Sequence, residues 1–136
     1  MYLSEENKNT IVNSMVKEFN PKFIYLFGSY AKGIARGDSD IDLGIYTDNM
    51  ITTYELFMAA GRLSMKLKKD VEIINLKDIS TVFAAQIVII RDVLYCEDEN
   101  LRANYEIRIL KDYAKLNEER QVILDVIKED EKIYEK

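Results

Sequence analysis

The hydrophobic positions of this chain follow two rhythms. Ile11, Met15 and Phe19 recur every fourth residue with Val12 and Val16 beside them, the spacing that gathers apolar side chains on one face of an α-helix. Ser4 supplies a capping hydroxyl, and Pro21 stops the helix because it has no N–H to donate. KFIYLF, Lys22 to Phe27, then runs aromatic and β-branched without a polar break and reads as a buried strand. Gly28, Gly33 and Gly37 punctuate the connection to a second strand, predicted over Ile41 to Tyr46.

The helical rhythm returns after Thr52, which forms a capping box with Glu55 and is followed by the stripe Leu56, Ala60, Leu63 and Leu67. Gly61 weakens that helix and so predicts close packing against a neighbour. DVEIINL, Asp70 to Leu76, is a third strand. A helix begun by Ser80 or Asp78 runs through TVFAAQIVIIR, and Val93 to Tyr95 add an edge strand. Leu101, Tyr105, Ile109, Tyr113 and Leu116 mark a long amphipathic helix whose charged continuation is expected to fray at its end. Helices and strands in this order predict an α/β (α+β) fold, with helices packed on a short mixed sheet and a helical part over about 98–136.

Composition narrows the chemistry. At 136 residues, with 48% hydrophobic residues, 32% charged and one Pro, the chain reads as one folded domain over 1–136. Its 24 acidic against 19 basic residues leave a net charge of −5, so no nucleic-acid polymer is expected as a partner. With one cysteine and no histidine there is no internal disulfide, imidazole metal ligand or His-based nucleophilic mechanism. Carboxylates, hydroxyls, amines and metal ions remain. The opening MYLSEENKNT lacks a signal-peptide pattern and no apolar run reaches membrane-spanning length, so the expected location is the cytoplasm, with no membrane partner.

Against that background Asp40 and Asp42 stand out, one residue apart at the start of an apolar strand. Residues two apart point to the same face, so both carboxylates look one way and Ile41 and Leu43 the other, giving a wet face and a greasy one. Converging carboxylates suit Mg²⁺, whose shell is completed by water and phosphate oxygens. Alone, the pair reads equally as solvated charge at a strand end. An EF-hand is excluded, because its sixth position is Leu43 where glycine is needed and its twelfth is Asn49 where glutamate is needed. Gly28 lets the backbone approach a ligand, and Ser29 can open a short helix that offers its hydroxyl and N–H groups to a phosphate. Neither a Walker A string nor a dinucleotide fingerprint is present.

GSYAKGIARGDSDID places Gly28-Ser29 ten residues before Asp40-x-Asp42. In this spacing, and in its order of elements through VLYCEDENLRANYEIRILKDY, the chain resembles the DNA polymerase β-like nucleotidyltransferase superfamily, and within it the antitoxins of the minimal nucleotidyltransferase (MNT) branch. That resemblance implies transfer of a nucleoside monophosphate from a triphosphate to an acceptor hydroxyl. It implies that Asp40, Asp42 and a third carboxylate serve as catalytic and Mg²⁺-holding residues, for two ions when the site is full, and that Gly28 and Ser29 hold the triphosphate. The third carboxylate is Glu72, where the family usually has Asp, with Asp70 the alternative. Lys32 and Arg36 are either loop charges or triphosphate contacts. Tyr25, Phe27 and Phe57 read as core, and Tyr46 as core or a surface for adenine.

For function the resemblance implies an antitoxin that transfers AMP from ATP to a tyrosine hydroxyl of a cognate HEPN-family ribonuclease toxin, with which it forms a hetero-oligomer. Two alternatives stand beside it: neutralisation mainly by binding the toxin, and modification of a small hydroxylated molecule such as an aminoglycoside.

Overall fold

The computed structural model describes the backbone of residues 1–134 and the side chains of residues 1–130. Helix α1, Glu5–Phe19, is capped by the Ser4 hydroxyl, which accepts from the Asn7 N–H. Strand β1, Phe23–Phe27, leads into the short helix α2, Ser29–Lys32, and then β2, Ile41–Tyr46. The capping box of Thr52 and Glu55 opens α3, Thr53–Leu67. After β3, Val71–Asn75, Ser80 rather than Asp78 caps α4, Thr81–Ile90. Strand β4, Asp92–Cys96, precedes α5, Glu99–Tyr134.

The four strands form one mixed sheet in the order β3-β2-β1-β4. β1 runs antiparallel to both β2 and β4, while β2 and β3, joined through α3, are parallel. The expected edge strand is thus β4. Alternation along each strand splits the core into two layers. Ile24, Leu26, Ile41, Leu43 and Ile45 pack with α1 and α3 on one face. Phe23, Tyr25 and Phe27 pack with α4 and the first half of α5 on the other.

The second face corrects the expectation of a wet side. Asp42, Gly44 and Tyr46 all point to it, because they lie opposite Phe27, Tyr25 and Phe23. Asp42 and Tyr46, at its two ends, are half-buried and Gly44 between them is buried. Tyr46 stacks on Phe23 at 4.8 Å between ring centroids and meets Tyr105 edge-on at 5.5 Å, so it belongs to an aromatic cluster and is not a free surface for adenine. Phe57, expected in the core, is 73% exposed, because the buried stripe of α3 runs through Leu56, Ala60 and Leu63 and turns its neighbour outward. Gly61 likewise faces open space, with no atom within 4 Å of where a Cβ would lie, so close packing does not explain it.

A polar knot anchors α5 to the sheet. The Tyr25 hydroxyl donates to Glu106 Oε2 at 2.5 Å, and Arg91 donates through Nε and Nη2 to the two carboxylate oxygens at 3.0 and 2.9 Å. Arg102, one turn earlier on α5, adds a 3.2 Å contact. Burial alone would raise the Glu106 pKa, but the hydrogen bonds from Tyr25 and Arg91 prevail and lower it; burial and the same carboxylate push the Tyr25 phenol up. Beyond Leu116 the helix leaves the body, and residues 117–130 are exposed throughout. The predicted stripe from Leu101 to Leu116 is therefore the docked half. The expected fraying concerns an end whose last two residues, 135 and 136, lie outside the described residues.

Replacing Tyr25 with Phe removes a hydrogen bond to a charged group while Arg91 and Arg102 keep Glu106 paired. Tyr25→Phe is expected to lower unfolding free energy by about 2 kcal/mol, measured by urea denaturation at neutral pH.

Candidate active site

The two halves of the glycine-serine and aspartate motif meet because β1 and β2 pair antiparallel, with Phe27 opposite Asp42. Gly28 follows immediately, at φ +72°, a backbone conformation that costs glycine little and other residues more. Space imposes a second requirement. A Cβ on Gly28 would overlap Asp42 Oδ2 and sit 3.2 Å from Asp42 Cγ, so only a bare Cα lets that carboxylate lie against the turn. Gly28 is also the N-cap position of α2, and the chain turns there from strand to helix with Ser29 as the first helical residue.

The parallel pairing of β2 and β3 supplies the next group. Asp42 and Glu72 are register partners on adjacent strands, which brings two like charges to one face at neighbouring-strand spacing. Asp40 precedes β2 and is exposed. Asp70 sits apart: its carbonyl accepts from the Ile41 N–H at 2.8 Å, and its side chain lines a polar hollow with Ser39, Lys68 and Lys69. Of the sequence-predicted residues, the fold thus gathers Gly28, Asp42 and Glu72 at one corner, with Ser29 and Asp40 flanking it. Lys32 lines a pocket beside Gly28, while Arg36 is exposed in a turn closed by Ser39.

The corner is electrostatically unrelieved. Among the described residues, none of Asp40, Asp42 and Glu72 takes part in an ion pair. Burial, then the charge of Glu72, then that of Asp40 raise the Asp42 pKa from 3.8 to about 6. A carboxylate so placed takes up a proton more readily than a free one, and a bound cation would relieve the same repulsion. Among the described residues no three His, Cys, Asp or Glu side chains are close enough to form a metal cage unaided. That is compatible with Mg²⁺, which takes one or two carboxylates and completes its shell with water and substrate phosphates. The hard oxygen donors and the close approach at Gly28 fit such an ion bound together with a triphosphate.

The sequence did not signal the pocket next to this corner, of about 420 Å³, walled by Phe27 and by Phe83, Gln86, Ile87 and Ile90 of α4. Its only trace there is that positions 83, 86, 87 and 90 share one helical face.

The charge balance of the corner yields a pH test. Because the folded-state pKa of Asp42 lies above the unfolded one, its stabilising contribution is complete below pH 3.8 and is lost as pH rises through about 6. Asp42→Asn is therefore expected to be more stable than the parent at pH 7.5, by about 1 kcal/mol after allowing for solvent screening, with the difference vanishing near pH 4. Melting temperatures of both proteins across pH 4–8, without divalent ions, measure it.

Residues 9–100 match the polymerase beta nucleotidyltransferase family. The protein adenylyltransferase MntA of Shewanella oneidensis is 30% identical over 127 residues, covering 90% of this chain and 88% of that protein. A toxin-antitoxin crystal structure with AMP-PNP matches at a TM-score of 0.80 and 28% identity, over 89% of this chain and 98% of the matched one. The tri-AMPylated Shewanella oneidensis HEPN toxin in complex with MNT antitoxin matches at 0.76 and 25% identity, over 92% and 98%. With its strand pairing, its glycine-serine turn and its carboxylate corner all in this family's order, the chain belongs to the polymerase beta nucleotidyltransferases.

Proposed function

We propose that this chain is an antitoxin that transfers AMP from ATP to a tyrosine hydroxyl of a cognate HEPN-family ribonuclease toxin and thereby neutralises it. The observation that carries this reading is the contact of Gly28 with Asp42, beside Glu72 in register, in a chain similar to a protein adenylyltransferase over most of its length. The whole of 1–136 acts as one nucleotidyltransferase domain with its helical part from about residue 98, and the proposed location is the cytoplasm. Among the described residues no helix is long and apolar enough to cross a membrane.

In this reading Asp40, Asp42 and Glu72 hold Mg²⁺, as two ions when the site is full, and Gly28 and Ser29 hold the triphosphate. Bound Mg²⁺ would neutralise the triphosphate charge and stabilise the charge that develops on the leaving group. The chain's own residues do the rest. Gly28 lets backbone and carboxylate approach together, so that the triphosphate lies over the aspartates. The acceptor tyrosine oxygen attacks the α-phosphorus, the bond to the bridging oxygen breaks, and pyrophosphate departs. Glu72, the most exposed group of the register pair, orients the hydroxyl and takes its proton. It has one methylene more than the family's usual aspartate and reaches outward to do so.

One observation favours a second reading, in which binding itself neutralises the toxin. Val122, Ile123, Val126 and Ile127 on the outer half of α5 are each about half exposed or more, a surface suited to a protein partner. The two readings separate cleanly.

Asp40→Ala combined with Asp42→Ala is expected to abolish transfer of labelled AMP to the toxin, read by mass spectrometry, while the two proteins still co-elute. Full neutralisation by that variant would make catalysis dispensable and binding sufficient. Glu72→Gln is expected to slow transfer by about 10²-fold, in the range of a lost general base, whereas Asp70→Asn leaves the rate within about threefold; the reverse order would move the third role to Asp70.

A further inference from the structure

We propose that Tyr2 is a positioning residue for the triphosphate grip: its ring lies on Gly33 at the end of α2 and holds that turn in the shape that presents Ser29. This rests on the reading of Gly28 and Ser29 as the grip. Helix α2 is a single turn, Ser29–Lys32, and one turn is too short to persist on its own hydrogen bonds. Its shape therefore depends on what touches it. At its first end Gly28 lies against Asp42, and in its middle Tyr30 is buried in the core. Gly33 closes the second end.

That closure runs straight back to Ser29. Gly33 is left-handed at φ +75°, and its N–H donates to the Ser29 carbonyl; the Ile34 N–H donates to the same oxygen at 3.1 Å. A Cβ on Gly33 would overlap the Tyr2 ring and stand 2.8 Å from its Cε1. Glycine is thus required there twice, by the backbone conformation and by the ring laid on it. The segment that carries the ring is itself fastened on both sides. The Met1 nitrogen donates to the Gly33 carbonyl at 2.6 Å, and Leu3 is buried in the core layer beneath α1. Tyr2 is 70% exposed all the same, so its contact with Gly33 adds little to global stability and bears mainly on the local shape of the turn. A grip already in place binds phosphate without the cost of ordering it. Removing the ring frees the end of α2 while leaving Gly28, Ser29 and the carboxylates unchanged.

Calorimetry with tripolyphosphate and with AMP-PNP, each with Mg²⁺, tests this on the full chain. Tyr2→Ala is expected to weaken both ligands by a common factor of about fivefold, the size expected when one ordered segment must be fixed again on binding. Its melting temperature without ligand is expected to stay within about 2 °C of the parent, as for an exposed substitution. Tyr2→Phe keeps the ring on Gly33 and is expected to restore both affinities to within about twofold. Loss of AMP-PNP alone makes Tyr2 a contact of the nucleoside and overturns the assignment. So does a Tyr2→Phe variant as weak as Tyr2→Ala, or a loss that comes with a fall in melting temperature of more than about 5 °C, which would make the role one of stability. A parent protein that binds neither ligand overturns the triphosphate grip and this inference together; a parent that binds both, with Tyr2→Ala equal to it, overturns the positioning role alone.

Discussion

Two carboxylates on neighbouring strands repel each other, and at the corner beside Gly28 neither is in an ion pair among the described residues. The repulsion persists because the sheet fixes both ends of it. Asp42 is placed by its pairing with Phe27 and Glu72 by its register with Asp42, so the two Cα positions are held at neighbouring-strand spacing. The cost appears as the raised pKa of Asp42. A folded protein that keeps such a cost at one place is storing affinity for whatever relieves it, which is how strained polar clusters are generally read. The cost to stability thus falls on this one residue.

The other constraints serve that corner. β2 turns Ile41, Leu43 and Ile45 into the layer beneath α1 and α3, and the same alternation obliges Asp42, Gly44 and Tyr46 to face α4 and α5. Gly44 leaves room for Leu76, which follows β3, since a Cβ there would press on that side chain, 3.1 Å from its Cγ. Tyr105 closes the far end by donating to the Leu76 carbonyl at 3.0 Å. Glu106 fixes α5 through Tyr25 and Arg91. Breaking one partner of a buried charge set is costly, so the knot sets how far the helical cover extends over the sheet and where it stops short of the carboxylates.

Much of this was legible before any coordinates. Capping residues Ser4, Thr52 and Ser80, the strands and the glycine-serine spacing are local signals, and local signals survive folding. What was missed depends on the third dimension. Phe57 and Gly61 lie off the Leu56, Ala60, Leu63 and Leu67 stripe that the periodicity marks and the structure buries, so residue type misled there where the helical period did not. Tyr46 looked available because nothing in the sequence places Phe23 and Tyr105 beside it. Tyr25 and Glu106, 81 positions apart, are joined only by the docking of α5. The α4 pocket was invisible for the same reason, since its apolar residues read as core until their exposure is known. Which of Glu72 and Asp70 lies beside Asp42 is a matter of register, which periodicity alone does not fix.

The long C-terminal helix carries one more implication. Past Leu116 its residues are exposed through 130, so that half depends mostly on its own backbone hydrogen bonds, and helices of that length are marginal in water when little packs on them. Such a segment opens often, and proteases cut chains where they open. A partner that lay along that helix would cover Val122, Ile123, Val126 and Ile127 and suppress such opening.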